Sequence, residues 1–211
     1  MSFILFLAQF GTGPIMTGQH GFARTLKWEA ITKGRTESSC TFQLKHSDAT
    51  LKLWPHKFTL NYTISLQTEG LQVKFEVLNC DDCDFDFTAL LHTYFNISSI
   101  DSVKIEGLNN LEYSDKLKNN QKFHEDAFII ENINEEVDRN YFNVPGKVKL
   151  SSSNRNFEIS SDFKDLVVWN PWIEKSKAMA DFDDEEVNIL YHTSIISINI
   201  FISTHVHTYT V

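Results

Sequence analysis

The sequence predicts an all-β fold, an antiparallel sandwich or barrel, and three observations carry that expectation. Apolar residues recur with period two in one segment after another. No stretch holds a 3.6-residue apolar period through three turns, and no linker, repeat or low-complexity tract divides the 211 residues. A chain of this length can bury a proper core as one all-β unit.

The opening run, Phe3-Ile4-Leu5-Phe6-Leu7, reads as part of a strand. It is too short to span a membrane and has no basic residue before it, so neither a membrane anchor nor a secretory leader is expected. In "FTLNYTISL" Phe58, Leu60, Tyr62, Ile64 and Leu66 alternate with Thr59, Asn61, Thr63 and Ser65. After a turn through Glu69-Gly70, Leu71, Val73, Phe75 and Val77 alternate with Gln72, Lys74 and Glu76. Two alternating runs split by a glycine turn predict a β-hairpin with one buried face.

The run "TALLHTYFN" follows. Alternation sets Phe87, Ala89, Leu91 and Phe95 on one face and Thr88, Leu90, His92 and Tyr94 on the other. The first set is the core face, which turns His92 away from the core. Shorter strands are expected at "SVKIEG", "KVKL", "NFEI" and "DLVVW". A short helix is expected at "PWIEKSKAM", where Pro171 suits a first helical position. Near the end, Ile196, Ile198, Ile200 and Ile202 alternate again, so a last strand is feasible.

A formal net charge of -9 argues against nucleic acid and anionic membrane as partners. An anionic substrate would therefore rely on individual cations. Three cysteines, Cys40, Cys80 and Cys83, suit a reducing, cytoplasmic compartment. "CDDC" has no second CxxC to complete a zinc site, and two aspartates between the thiols oppose thiolate formation, so it reads as a turn and no metal is expected.

Four groups of polar or aromatic residues could carry chemistry. "TGQHGFAR" holds Gln19, His20 and Arg24; the guanidinium fork of arginine suits a phosphate, although a lone arginine is more often a surface residue. Asp138 in "EEVDRNY" could accept hydrogen bonds from vicinal hydroxyls, against the plainer reading of a solvated acidic stretch. Trp169 and Trp172 in "VVWNPW" could line a sugar site or simply fill core. His92 taken alone is a satisfied core histidine more often than a catalyst. P-loop, dinucleotide-fold and Gly-x-Ser-x-Gly motifs are missing from the sequence.

Taken in order, "QFGTGPIMTGQHGFAR", "ALLHTYF", "EEVDRNY" and "VVWNPWIEKSKAMADF" resemble the glucose-6-phosphate 1-epimerases, or hexose-6-phosphate mutarotases, of the aldose 1-epimerase group. The resemblance implies a galactose-mutarotase-like β-sandwich over residues 1–186, followed by a divergent tail over 187–211. It implies an isomerase that interconverts the anomers of hexose 6-phosphates, glucose 6-phosphate among them, with no cofactor; a monomer is expected. It makes His92 the catalytic histidine, whose ordinary pKa of about 6.5 lets it donate and recover a proton near neutrality. Gln19, Arg24 and Asp138 become substrate contacts, Arg24 toward the phosphate and Asp138 toward the sugar hydroxyls.

The pattern also departs from the family. Members carry several dozen residues before the point where this sequence starts, among them an arginine for the phosphate. After "DFDDEE" they continue into a strand bearing a catalytic glutamate, whereas residues 187–211 contain no Asp or Glu. His205 and His207 share a strand face there, without a third metal ligand. Impaired catalysis is therefore expected, and the alternative is a sugar-phosphate-binding sandwich that does not turn over.

Overall fold

Residues 2–7, 21–177 and 195–206 are described by the computed structural model. In chain order the elements are β1 (Ser2–Leu7), β2 (Glu29–Thr36), β3 (Ser39–Lys45), α1 (Asp48–Leu53), β4 (Phe58–Gln67), β5 (Gly70–Asn79), β6 (Phe85–Asn96) and β7 (Lys104–Glu106). There follow β8 (Glu112–Asp115), β9 (Gln121–His124), β10 (Ile129–Ile130), β11 (Val137–Tyr141), β12 (Lys147–Ser152), β13 (Arg155–Ser160), β14 (Asp165–Asn170), α2 (Trp172–Lys177) and β15 (Ile195–Val206). Single turns of 3-10 helix occupy Ile100–Ser102 and Lys116–Lys118. The mostly-β, antiparallel expectation is met. By internal contacts the chain divides into two compact units, one built on Leu90–Ile202 and the other on Leu5–Ala89.

The first unit holds most of a seven-stranded sheet in the order β1-β6-β15-β14-β11-β8-β9 and a four-stranded sheet in the order β10-β7-β12-β13. Its core lies between them. Phe95, Tyr113, Tyr141, Leu166 and Val168 project from the larger sheet, and Ile105, Val148 and Leu150 from the smaller. Tyr141, Ile105 and Leu150 are wholly buried; burial of this kind contributes about 1.5–3 kcal/mol per large apolar side chain. Register makes the faces explicit. Tyr141 pairs with Leu166 and Arg139 with Val168, whereas Asp138 pairs with Trp169 and Asn140 with Val167. Since Tyr141, Leu166 and Val168 are core, Asp138, Asn140 and Trp169 occupy the opposite face.

Tyr141 brings a hydroxyl into that core, and it is satisfied there: it donates to Glu125 Oε2 at 2.9 Å. Glu125 is itself buried and also lies 3.5 Å from Arg139 Nη1. At Gly107, just after β7, the chain passes so close to β12 that a Cβ would sit 2.6 Å from the Lys147 carbonyl oxygen, and φ is +96°. Five left-handed turn positions are held by asparagine, at Asn110, Asn119, Asn120, Asn132 and Asn143.

In the second unit β2-β3-β4-β5 form a meander. One face of β3 and β4 carries a ladder of hydrogen-bonded pairs, Ser39 with Ser65, Thr41 with Thr63 and Gln43 with Asn61, each at 2.8 Å. The β4–β5 hairpin turns where the glycine predicts, with Gln67 paired to Gly70. Its apolar face is buried only at the base: Phe58 and Leu60 are inaccessible, while Leu66 at the tip is 64% exposed. The reason is the aromatic cluster of Phe22, Trp54, Phe58 and Phe85, with ring centroids 4.8–6.3 Å apart, which covers the Phe58 end.

Helix α1 was not anticipated by periodicity, being only six residues long. It is defined instead by its cap: Thr50 N donates to Ser47 Oγ at 3.3 Å and Ser47 N to Thr50 Oγ1 at 2.8 Å. The helix expected around Pro171 is present as α2, and the last strand expected among the isoleucines is β15, paired with β14.

Candidate active site

Strand β6 alternates as the sequence predicts. Ala89, Leu91, Thr93 and Phe95 are buried, while Thr88, His92 and Tyr94 are only partly so; Leu90 joins the buried residues. His92 therefore does not lie among phenylalanines. Its ring stacks on Tyr94, two residues along the same face, with centroids 4.5 Å apart and planes inclined by 26°. Trp169 stands edge-on to both, 5.9 Å from His92 and 6.4 Å from Tyr94. Two aromatic rings, Tyr94 and Trp169, thus form a wall beside the imidazole on the face of the larger sheet that looks away from its core.

Asp138 sits on the same face, directly opposite Trp169 in the β11–β14 pair. Its Oδ1 is 3.3 Å from Lys116 Nζ, an ion pair whose geometry falls short of a hydrogen bond. Burial pushes the Asp138 carboxyl pKa up, and the positive charges of Lys116 and Lys175 offset that only in part, with Glu136 adding to the rise. Lys175, on α2, is itself tied to Glu136, at the entry to β11. Two residues on from Asp138, the side-chain oxygen of Asn140 is buried too. Asp138 Oδ1 and Asn140 Oδ1 both lack a hydrogen-bond partner.

Leaving a buried acceptor unsatisfied costs about 1–3 kcal/mol. Asn140 Oδ1 without a hydrogen bond and Asp138 Oδ1 with only the Lys116 ion pair, on one strand face beside a partly buried imidazole and an aromatic wall, are suited to a ligand that brings hydroxyl donors and an apolar face. A pyranose has both. The histidine adds a group able to carry a proton.

Of the residues singled out from the sequence, His92 and Asp138 share this face in the first unit. Arg24 belongs to the second unit, exposed in a turn that Thr25 N closes with a 3.1 Å bond to the Phe22 carbonyl oxygen, while Phe22 and Ala23 are buried beneath it. Gln19, His20, His207 and the tail residues up to position 194 lie outside the described residues. Trp169 takes a place in the wall; Trp172 packs against the core of the first unit. Tyr94, Asn140 and Lys116 were missed. The first two were within reach of the alternation rule, since each stands two residues from a residue already singled out. Lys116 comes from a distant turn and left no local signal.

Known proteins resemble the chain in sequence and in fold. Residues 5–190 match the family model described as aldose 1-epimerase. A curated relative from Cenchrus ciliaris, named "putative glucose-6-phosphate 1-epimerase", is 34% identical over 195 residues, covering 85% of this chain and 58% of the relative. One of the same name from Escherichia coli K12 is 30% identical over 181 residues, covering 79% of this chain and 56% of the relative. The chain thus spans little more than half the length of the curated relatives it matches. Among solved structures, a "putative mutarotase" from Salmonella typhimurium superposes with a TM-score of 0.75 at 26% identity, over 93% of this chain and 65% of that one. A galactose mutarotase-like protein from Lactobacillus casei shares the fold at a TM-score of 0.68 and 21% identity, over 94% of this chain and 72% of that one. A family model matched over residues 5–190, with relatives at least 30% identical over most of the chain, leads to one conclusion: the chain belongs to the aldose 1-epimerase family.

Proposed function

We propose that the chain is a cytoplasmic, monomeric mutarotase of hexose 6-phosphates, interconverting the α and β anomers of glucose 6-phosphate by acid–base ring opening, and that it is slow as its sequence stands. In this reading His92 delivers a proton to the ring oxygen as the C1–O5 bond breaks, and the anomeric hydroxyl gives up its own proton to solvent water to leave an open-chain aldehyde. Rotation about C1–C2 and the reverse proton transfers close the ring as the other anomer. Asp138 and Asn140 accept hydrogen bonds from the sugar hydroxyls, Tyr94 and Trp169 support the apolar face of the sugar, and Gln19 and Arg24 contact the substrate, Arg24 at the phosphate. Neither cofactor nor metal takes part in this scheme.

The observation that supports this reading best is the pair of buried acceptors, Asn140 Oδ1 without a hydrogen bond and Asp138 Oδ1 with only the Lys116 ion pair, on the sheet face that His92 shares. The choice of substrate class is supported by the names of the relatives and by the ordered motifs. The slow rate follows from residues 187–211, which hold no carboxylate to take the anomeric proton; losing a general acid or base commonly costs about 10²- to 10⁴-fold. A coupled assay of anomer exchange on glucose 6-phosphate is expected to return a rate below that of a complete family member by this factor. A rate equal to it refutes the impairment.

The same missing carboxylate favours a second reading, a sugar-phosphate-binding module without turnover. Saturable binding of glucose 6-phosphate with exchange no faster than the spontaneous rate supports the module. Measurable exchange that disappears in His92→Asn supports the enzyme.

A further inference from the structure

The Cys80-Asp81-Asp82-Cys83 turn lacks a second thiol pair, but the fold brings it a histidine instead. His56, in the loop between α1 and β4, faces Asp81 with its Nδ1 at 3.5 Å from Asp81 Oδ2. Nδ1 is buried and makes no hydrogen bond, to that carboxylate or to any other group. The ligand atoms of His56, Asp81 and Cys83 all lie within 4.8 Å of one another. In a tetrahedral zinc site with bonds of 2.0–2.3 Å, neighbouring ligand atoms are about 3.3–3.8 Å apart. The His56–Asp81 separation already has that value, and Cys83, being exposed, has the freedom to close the remainder.

The surroundings are built to hold this arrangement. The His56 ring is wedged against Trp54 and Phe85, with centroids at 5.0 and 5.1 Å. Hydrogen bonds join the two loops reciprocally, from Lys57 N to the side-chain Oδ2 of Asp81 at 3.2 Å and from Cys80 N to the Lys57 carbonyl oxygen at 2.9 Å. The Asn79 side chain staples the turn, accepting from Asp81 N at 2.8 Å and donating to the Cys83 carbonyl oxygen at 2.9 Å. Burial raises the Asp81 carboxyl pKa, yet the backbone donors of Lys57 and Asp82 and the charges of Lys57 and His56 outweigh it and hold the group below the ordinary carboxylate range. Asp82 and Asp84 add negative charge against that of Lys57. Cys80 is oriented elsewhere: its Sγ lies 3.6 Å from Thr59 Oγ1 and 3.7 Å from the Leu78 carbonyl oxygen.

We propose that His56 Nδ1, the Asp81 carboxylate and Cys83 Sγ form a surface site for a divalent zinc-like cation, with water in the remaining coordination position. One nitrogen, one hard oxygen and one soft sulfur suit a borderline metal better than calcium or magnesium, which take oxygen alone. Binding releases the Cys83 thiol proton to solvent and leaves neutral imidazole as the nitrogen ligand. The cation would satisfy the orphaned Nδ1, which no protein group does. The site is in the second unit and takes no part in the proposed ring-opening chemistry.

The test titrates the reduced full chain with Co²⁺ alone, then displaces it with Zn²⁺, following the cobalt–thiolate charge-transfer absorption. A single saturable equivalent with that absorption is expected, unchanged in Cys80→Ser, lost in Cys83→Ser and at least about tenfold weaker in His56→Gln. Circular dichroism reports whether each variant is folded. X-ray absorption on the zinc-loaded parent, which needs no variant, is expected to show one sulfur among nitrogen and oxygen neighbours. Two sulfurs, or loss of the absorption in Cys80→Ser, would assign the metal to the CxxC pair and overturn the proposal. So would unchanged affinity in a folded His56→Gln protein, or an absence of saturable binding.

Discussion

Asp138 and Trp169 stand directly opposite each other across β11 and β14, so a desolvated carboxylate and an indole ring share one face of the sheet. The pairing has an energetic cost, because burial disfavours the charged form of Asp138. A raised native pKa penalises folding above that pKa, and the penalty is relieved as the pH falls through it. Asp138→Asn is therefore expected to match or slightly exceed the parent in stability at neutral pH, by less than about 1 kcal/mol, and to converge with it on acidification. Urea denaturation at several pH values reads this directly. The same variant is expected to bind glucose 6-phosphate at least about tenfold more weakly, since a charged acceptor is worth roughly 1.5–3 kcal/mol.

His92→Asn is expected to abolish any exchange above the spontaneous rate and to leave stability within about 1 kcal/mol of the parent, because the ring is only partly buried. Two-dimensional NMR exchange between the anomer signals of glucose 6-phosphate measures the first, and thermal denaturation the second. A variant that retains the parent's exchange removes His92 from the mechanism.

Replacing Tyr141 by phenylalanine strips a donor from the buried Glu125 carboxylate. Burial raises the pKa of the Tyr141 hydroxyl, so it stays a donor across the accessible pH range. A loss of about 1–3 kcal/mol is expected, and chemical denaturation of parent and variant measures it.

At Gly107 an alanine would need a left-handed backbone and would press its methyl against the Lys147 carbonyl oxygen. Gly107→Ala is expected to cost at least about 2 kcal/mol, measured as a shift in urea midpoint without a change in slope.

The hairpin of β4 and β5 and the outward turn of His92 were both legible in period-two alternation, which is a local property of the backbone. Burial was less legible. Leu66 fits the apolar face of β4 by pattern, yet it is exposed, since what covers a strand is decided by elements far off in sequence. Helix α1 gave no periodic signal because six residues make fewer than two turns; its evidence lay in the cap formed by Ser47 and Thr50. The turn at Cys80–Cys83 could be seen, but not the histidine 24 positions before Cys80 that the loop pairing sets against it. Lys116 reached Asp138 in the same non-local way.

The five asparagines at left-handed turns imply a specific mutational tolerance. Asparagine accepts that conformation at modest strain, and unlike glycine it does not enlarge the conformational freedom of the denatured chain. Exchange for glycine at Asn110, Asn119, Asn120, Asn132 or Asn143 should then sit near neutrality, strain relief cancelling entropy, whereas a β-branched residue at the same positions would suffer on the native side alone. Loop grafting or library design on this scaffold meets, among the described residues, five asparagine corners that favour residues tolerant of a left-handed backbone.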